Sequence, residues 1–196
     1  DLEFRQGEYG IKGTDRRIAI TALAQKYPGK LDLDFKERPK VPSTYPNGCH
    51  IAEVEIEPET GEVEIVSYLA CDDAGNLINE QIVHGQMHGG IVQGLGQALW
   101  EGVVYDDEGQ LVTGSLMDYA LPRASDLPDF DAALAEDVPT ASNRLGVKGA
   151  GQAGCMAAPQ AIMNAVMDAL CTVGVSHLDM PATPCRVWQA IEAART

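Results

Sequence analysis

The stretch "CHIAEVEIEPETGEVEIVSYLACDDAGN", Cys49 to Asn76, decides the fold class of this 196-residue chain. Ile51, Val54 and Ile56 are apolar with Glu53, Glu55 and Glu57 interleaved, and Val63 and Ile65 alternate with Glu62 and Glu64. Apolar residues at a period of two mark strands buried on one face. The "PETG" between the runs, residues 58–61, is turn chemistry. The expectation is a β-hairpin with one core face and one strongly acidic, solvated face.

Downstream the period changes. In "GQMHGGIVQGLGQALWEGVVYDDEGQL", residues 85–111, Ile91, Val92, Leu95, Ala98 and Leu99 form a helical stripe that begins just after Gly89-Gly90. Gly94 and Gly96 inside it each cost about 1 kcal/mol relative to Ala, so close packing against another backbone or a ligand is expected there. "DDEG", 106–109, reads as a turn into a further strand, "QLVTGSLMDYALP". "APQAIMNAVMDAL" is a second helix with Pro159 in its first turn, and "TPCRVWQAIEAA" a third, capped by Thr183 with Pro184 next. Strands and helices mix without regular βαβ alternation, which predicts an α+β class. The chain reads as one segment in three parts. An irregular lead-in, 1–48, ends in the proline-rich "KERPKVPSTYPNG". The hairpin, the glycine-rich helix and a strand fill 49–130, and a glycine loop with two helices fills 140–196.

Composition narrows the function. Fourteen Lys and Arg against 29 Asp and Glu give a net charge of −15, which repels nucleic acid and anionic lipid. No apolar run reaches the roughly 20 residues that cross a bilayer. Cys49, Cys71, Cys155, Cys171 and Cys185 form no CxxC pair, which suits buried thiols in a reducing cytoplasm. The opening "DLEFRQGEYG" lacks both Met and a signal-peptide layout, as expected of a piece of a longer polypeptide.

A second glycine-rich run is "RLGVKGAGQAGCMAAP", 144–159. Its "GAGQAG" matches GxGxxG formally, but "PTASNRLGVK" before it is no buried strand, and the acidic residue expected about 20 positions on is missing. What remains is a ribbon of bare backbone NH groups ahead of a helix, suited to an anion or a polar ligand. "HGQMH" spaces His84 and His88 by four, yet lacks the Glu of HExxH. Ser115 in "TGSLMDY" lies outside any GxSxG. No residue is assigned as a metal ligand, and with no nucleophile evident any chemistry must come from a cofactor.

Four stretches together resemble the carboxy-terminal part of the molybdenum-binding subunit of the xanthine dehydrogenase, aldehyde oxidase and carbon monoxide dehydrogenase family. They are "YPNGCHIAEVEIEPETGEVEIVSYLACDDAGNLIN", "GQMHGGIVQGLGQALWEGVVYDDEGQLVTGSLMDYALPRASDLP", "NRLGVKGAGQAGCMAAPQAIMNAVMDAL" and "LDMPATPCRVWQAI". They stand in the family's order and spacing. The resemblance implies hydroxylation of an aldehyde or N-heteroaromatic carbon with oxygen from water. Its cofactor is a molybdenum-molybdopterin, commonly the cytosine dinucleotide form in bacteria. Electrons leave through iron–sulfur clusters to FAD on partner domains or subunits of a cytoplasmic oligomer. Gln86 matches the Gln that contacts the pterin. Lys148, Gly149, Ala150 and Gly151 match the loop that bends around it. The family's subunits are several times longer, so this chain is expected to supply part of the pocket and the remainder of the subunit the rest.

One residue departs from the pattern. Gln152 stands where the family reads GVKGxGE, whose Glu acts as general base toward the attacking water-derived oxygen. A carboxylate accepts a proton at neutral pH, whereas a carboxamide only hydrogen-bonds. Gln152 is therefore the catalytic position without the catalytic group. A natural variant of altered activity, a residue introduced to trap a complex, and another acid in its place all stay open. Glu80 suits the last poorly, standing where the family has the Pro of an Asn-Pro pair. A non-catalytic binding or assembly module is the alternative.

Overall fold

The structure is a computed structural model and describes residues 1–28 and 42–195. Two units emerge from it, residues 1–41 and 42–196. In the first, β1 (Leu2–Arg5), β2 (Glu8–Ile11) and β3 (Arg17–Ala19) form an antiparallel sheet in that order, followed by α1 (Ile20–Lys26). Gln6 and Gly7, both at positive φ, make the tight β1–β2 turn, a geometry glycine adopts without strain. Much of the lead-in read as irregular is thus regular structure; its short polar strands carry too weak an alternation to read from sequence. Part of the proline-rich connector, Pro39 included, lies outside the described residues.

The second unit holds the expected hairpin, β4 (Asn47–Ile56) and β5 (Val63–Asp73), with β6 (Phe130–Ala135) added parallel to β5. Against this sheet pack α2 (Glu80–Leu99), α3 (Ala153–Cys171) and α4 (Pro184–Ala194). The class is α+β. The core joins Ile65 and Tyr68 of the sheet to Met87, Ile91, Leu95 and Leu99 of α2 and Ile162, Val166 and Leu170 of α3. Each such apolar side chain contributes about 1.5–3 kcal/mol on full burial. A bulge between Glu53 and Val54 leaves Val66 unmatched, since Glu53 faces Ser67 and Val54 faces Ile65. Ile65, Tyr68, Ala70 and Asp72 consequently all point inward, across a break in the alternation. Ile51, expected in the core, is 58% exposed, because β4 turns Ala52, Val54 and Ile56 inward instead.

Three further expectations need correction. α2 starts at Glu80, well before Gly89-Gly90, because Asn79 Oδ1 accepts the Ile82 amide at 3.0 Å and caps it. His84 and His88 are therefore helical. Pro159 is inside α3, whose first turn begins at Ala153. The strand read over 110–122 does not form. Tyr105 and Leu111 make an isolated bridge, and Leu116 and Met117 stand 77% and 96% exposed without a partner strand among the described residues. α4 begins where expected, with Thr183 at the cap position, although the hydroxyl makes no capping bond.

Candidate functional site

The site begins with two helices in close approach. A Cβ placed on Gly154 would overlap the Met87 carbonyl and sit 2.9 Å from the Ile91 amide; one on Gly90 would meet Cys155 N at 2.9 Å. At Gly94 a Cβ would press on Ala158 and Pro159 at 2.7 and 2.8 Å. The expected reason for Gly94, close packing, holds. Gly96 is filled differently, by the side chains of Glu101 and Pro122. This crossing brings the start of α3 beside the early turns of α2, where Gln86 stands.

The loop ahead of α3 is clipped to the end of β5. Lys148 N donates to Ala74 O at 2.8 Å, Asn76 Nδ2 to Leu145 O at 2.7 Å, and Gly149 N to Thr44 Oγ1 at 3.0 Å. The Lys148 ammonium donates to Asp73 Oδ2 at 3.0 Å and to Asn47 Oδ1 at 3.3 Å. Both members of the Lys148–Asp73 pair are buried. Burial pushes the Asp73 carboxyl upward, but the Gly75 amide and the Lys148 ammonium outweigh it and hold it below the usual carboxylate range. Lys148 therefore spends its charge inside the protein, fixing the loop.

Past Lys148 the chain opens onto a cavity of about 540 Å³. Gly149, Gly151, Gln152, Ala153 and Met156 line one side; Tyr45, Asn47, Gly48 and Asp72 line the other. The Gln86 Oε1 lies 3.3 Å from where a Gly151 Cβ would be. Of the residues singled out from sequence, Gly149, Gly151 and Gln152 thus share a wall, with Gln86 against it. Ala150 and Lys148 belong to the loop but not to the lining. Gln152 is exposed, and its side chain makes no hydrogen bond among the described residues. The volume falls in the range of sites for cofactor-sized ligands. A larger concavity of about 780 Å³ is ringed by Glu55, Glu57, Glu62 and Glu64 and shares none of these residues. Its acidic rim opposes an anionic ligand, so the smaller cavity is the candidate.

Sequence reasoning missed a buried polar group here. His50 Nδ1 lies 2.8 Å from the Tyr68 hydroxyl, and His50 Nε2 lies 3.2 Å from Asp72 Oδ1. Burial, with the Asp72 charge adding to it, pushes the Tyr68 hydroxyl well above its ordinary value. No group of three or more His, Cys, Asp or Glu side chains converges as a metal site among the described residues. His84 and His88 pair edge to face, and His88 packs on Phe130. No helix among the described residues is long and apolar enough to cross a membrane.

Residues 1–128 match the family described as "Molybdopterin cofactor-binding domain". The chain belongs to this family. It is 35% identical to the 6-hydroxypseudooxynicotine dehydrogenase complex subunit gamma of Paenarthrobacter nicotinovorans, over 94% of this chain and 24% of that protein. It is 32% identical to the carbon monoxide dehydrogenase large chain of Hydrogenophaga pseudoflava, over 98% of this chain and 25% of that one. The crystal structure of quinoline 2-oxidoreductase from Pseudomonas putida 86 superposes with a TM-score of 0.78 at 33% identity, covering 98% of this chain and 26% of that chain. The family expected from the sequence is thereby shown. The chain spans about a quarter of the length of these relatives.

Proposed function

We propose that this chain forms one wall of the molybdenum-molybdopterin pocket in the molybdenum-binding subunit of a hydroxylase acting on an aldehyde or N-heteroaromatic carbon. The observation that carries the reading is the convergence of Gly149, Gly151 and Gln152 on one cavity, with Gln86 beside Gly151, in a chain of this family. The residues fit the group: an open glycine wall, an amide beside it, and a helix beginning at the cavity edge. When bound, the cofactor supplies oxygen transfer from water and takes up the electrons released.

The chain's own residues divide the remaining work. Gly149 and Gly151 let a flat ring system approach the backbone. The Gln86 amide offers two N–H donors and a carbonyl acceptor beside them. The positive end of α3 favours an anionic group. Lys148 and Asp73 keep the loop in place. Gln152 faces the same space and can orient a hydrogen-bonding partner but cannot take its proton. The remainder of the subunit would close the pocket. Iron–sulfur and FAD partners would carry electrons away, and the cytosine dinucleotide form of the pterin and a cytoplasmic oligomer belong to the same proposal.

The amide at Gln152 favours a second reading, a cofactor-holding module without turnover. One substitution separates the two. In the full-length subunit assembled with its partners, Gln152→Glu is expected to raise turnover of aldehydes or N-heterocycles by about 10²–10⁴-fold, the worth of a positioned base. A variant loaded with molybdenum and pterin yet no faster than the parent would leave the module reading standing.

A further inference from the structure

The strand β5 is paired unevenly. On one side β4 runs beside it from Val63 to Asp73, whereas on the other β6 covers only Tyr68 to Asp73. The ladder stops there for a local reason. Upstream of Phe130 stand Pro128, which has no N–H to give, and a 3₁₀ turn at Ala124–Asp126 that carries the chain off the sheet. Between Val63 and Ser67, every second residue turns its N–H and C=O away from β4. No strand among the described residues receives them.

This open edge borders a groove. Val63, Glu64, Ile65 and Val66 all line the concavity of about 780 Å³. Neighbours on a strand face opposite sides of the sheet, so consecutive lining residues place the groove along the strand's edge and not over one face. Glu55, Glu57, Glu62, Glu64 and Asp126 line it, with no Lys or Arg. Glu55 and Glu64 are direct cross-strand partners, and like charges so placed cost stability until a cation comes between them. The carboxylates do not converge as a metal site among the described residues. A strand edge, a groove beside it and unanswered negative charge together describe a berth for an extended, basic polypeptide.

We infer that the open edge of β5 takes an added strand, a Lys- or Arg-bearing segment of the same subunit that lies outside this chain. The chain covers 24% and 25% of two relatives' lengths, so most of such a subunit lies beyond it. Main-chain hydrogen bonds supply the affinity, and alternate side chains the selectivity. Those on the Glu64 side meet carboxylates; those on the Ile65 side meet Trp100 and Leu127, which pack on the core. The inference does not rest on the proposed function and holds whatever fills the smaller cavity.

The test uses the full-length subunit assembled with its partners. Hydrogen exchange read by mass spectrometry should find the amides of Val63–Ser67 as slow as those of Leu69–Asp73, which β6 already covers. If about half of the former exchange freely, as an unpaired edge requires, the inference is overturned and the glutamates merely guard an open edge. Glu62→Lys with Glu64→Lys tests the charge. The pair relieves the repulsion between Glu55 and Glu64 and so favours the hairpin itself. It should nevertheless speed exchange in Val63–Ser67 about tenfold, the worth of one lost hydrogen bond. Unchanged or slower exchange would rule out a basic occupant. The photoreactive residue p-benzoylphenylalanine at position 62 reads the occupant's origin. An adduct with a peptide of the same subunit outside residues 1–196 is expected. An adduct with a partner subunit, one confined to this chain, or none would each overturn the assignment.

Discussion

Two glycine-rich places lie a few residues apart, and they use glycine for opposite ends. At the α2–α3 crossing, the space a side chain would occupy at Gly90 and Gly154 is already filled by the other helix's backbone. In the loop just upstream, a Cβ on Gly149 would meet nothing closer than Thr44 Oγ1 at 3.9 Å, and one on Gly151 would meet the Gln86 amide oxygen. The crossing is glycine because the fold needs it. The loop is glycine without the fold needing it, which points to something outside this chain approaching that backbone. Glycine density alone does not distinguish a packing contact from a binding surface; what stands opposite each residue does.

The sharpest way to break the contrast is Gly154→Ala. Its methyl has nowhere to go, because the obstruction is the Met87 carbonyl and the Ile91 amide of a helix, not a movable side chain. Prising α2 from α3 also loosens Ile91, Leu95, Ile162 and Val166. We expect a loss of about 3 kcal/mol in urea denaturation, at the upper end of overpacking costs. An unchanged midpoint would mean that the helices tolerate separation and that the crossing does not demand glycine.

Lys148→Met addresses the tether that holds the loop to the end of β5. It leaves the Asp73 carboxylate buried with the Gly75 amide but without its cation, for an expected loss of about 2 kcal/mol. The pH dependence has a definite sign. The folded Asp73 carboxyl titrates below its usual range, so the tether's contribution is fully present above the unfolded value of about 4 and is lost as pH falls through the folded one. Denaturation midpoints of the parent and Asp73→Asn should differ at pH 7 and converge under strong acid. A gap that persists there would assign the effect to packing rather than charge.

The same contrast explains how much could be read from the sequence. The hairpin, the helical stripes and the α+β class were legible because they follow period. The helix was read from just after Gly89-Gly90, whereas the Asn79 cap and the contact with α3 carry it back to Glu80. The missing strand over 110–122 had the right residues but finds no ladder partner among the described residues, and propensity does not supply one. Gln86 and the loop were singled out by resemblance and glycine density. Asp72 was not legible at all: strict alternation from Val63 and Ile65 puts it on the acidic outer face. The bulge opposite Glu53 and Val54 turns it inward, and a bulge leaves no periodic trace.

Gly149→Ala has the smallest expected effect on stability and bears most directly on what the loop is for. The residue's φ is not positive, so alanine carries no backbone strain, and its methyl would have only Thr44 Oγ1 within 4 Å. Removing a glycine also restricts the unfolded chain, so stability should hold within about 1 kcal/mol and shift upward if at all. The added methyl lies on a residue that lines the cavity, where it keeps a planar ligand away from the backbone. Pterin content of the assembled subunit should therefore fall several-fold while the denaturation midpoint does not. If both stay at parental values, the bare backbone at Gly149 is not a contact surface. If both fall, the residue belongs with Gly90 and Gly154 as part of the fold, and the opposition between the two regions disappears.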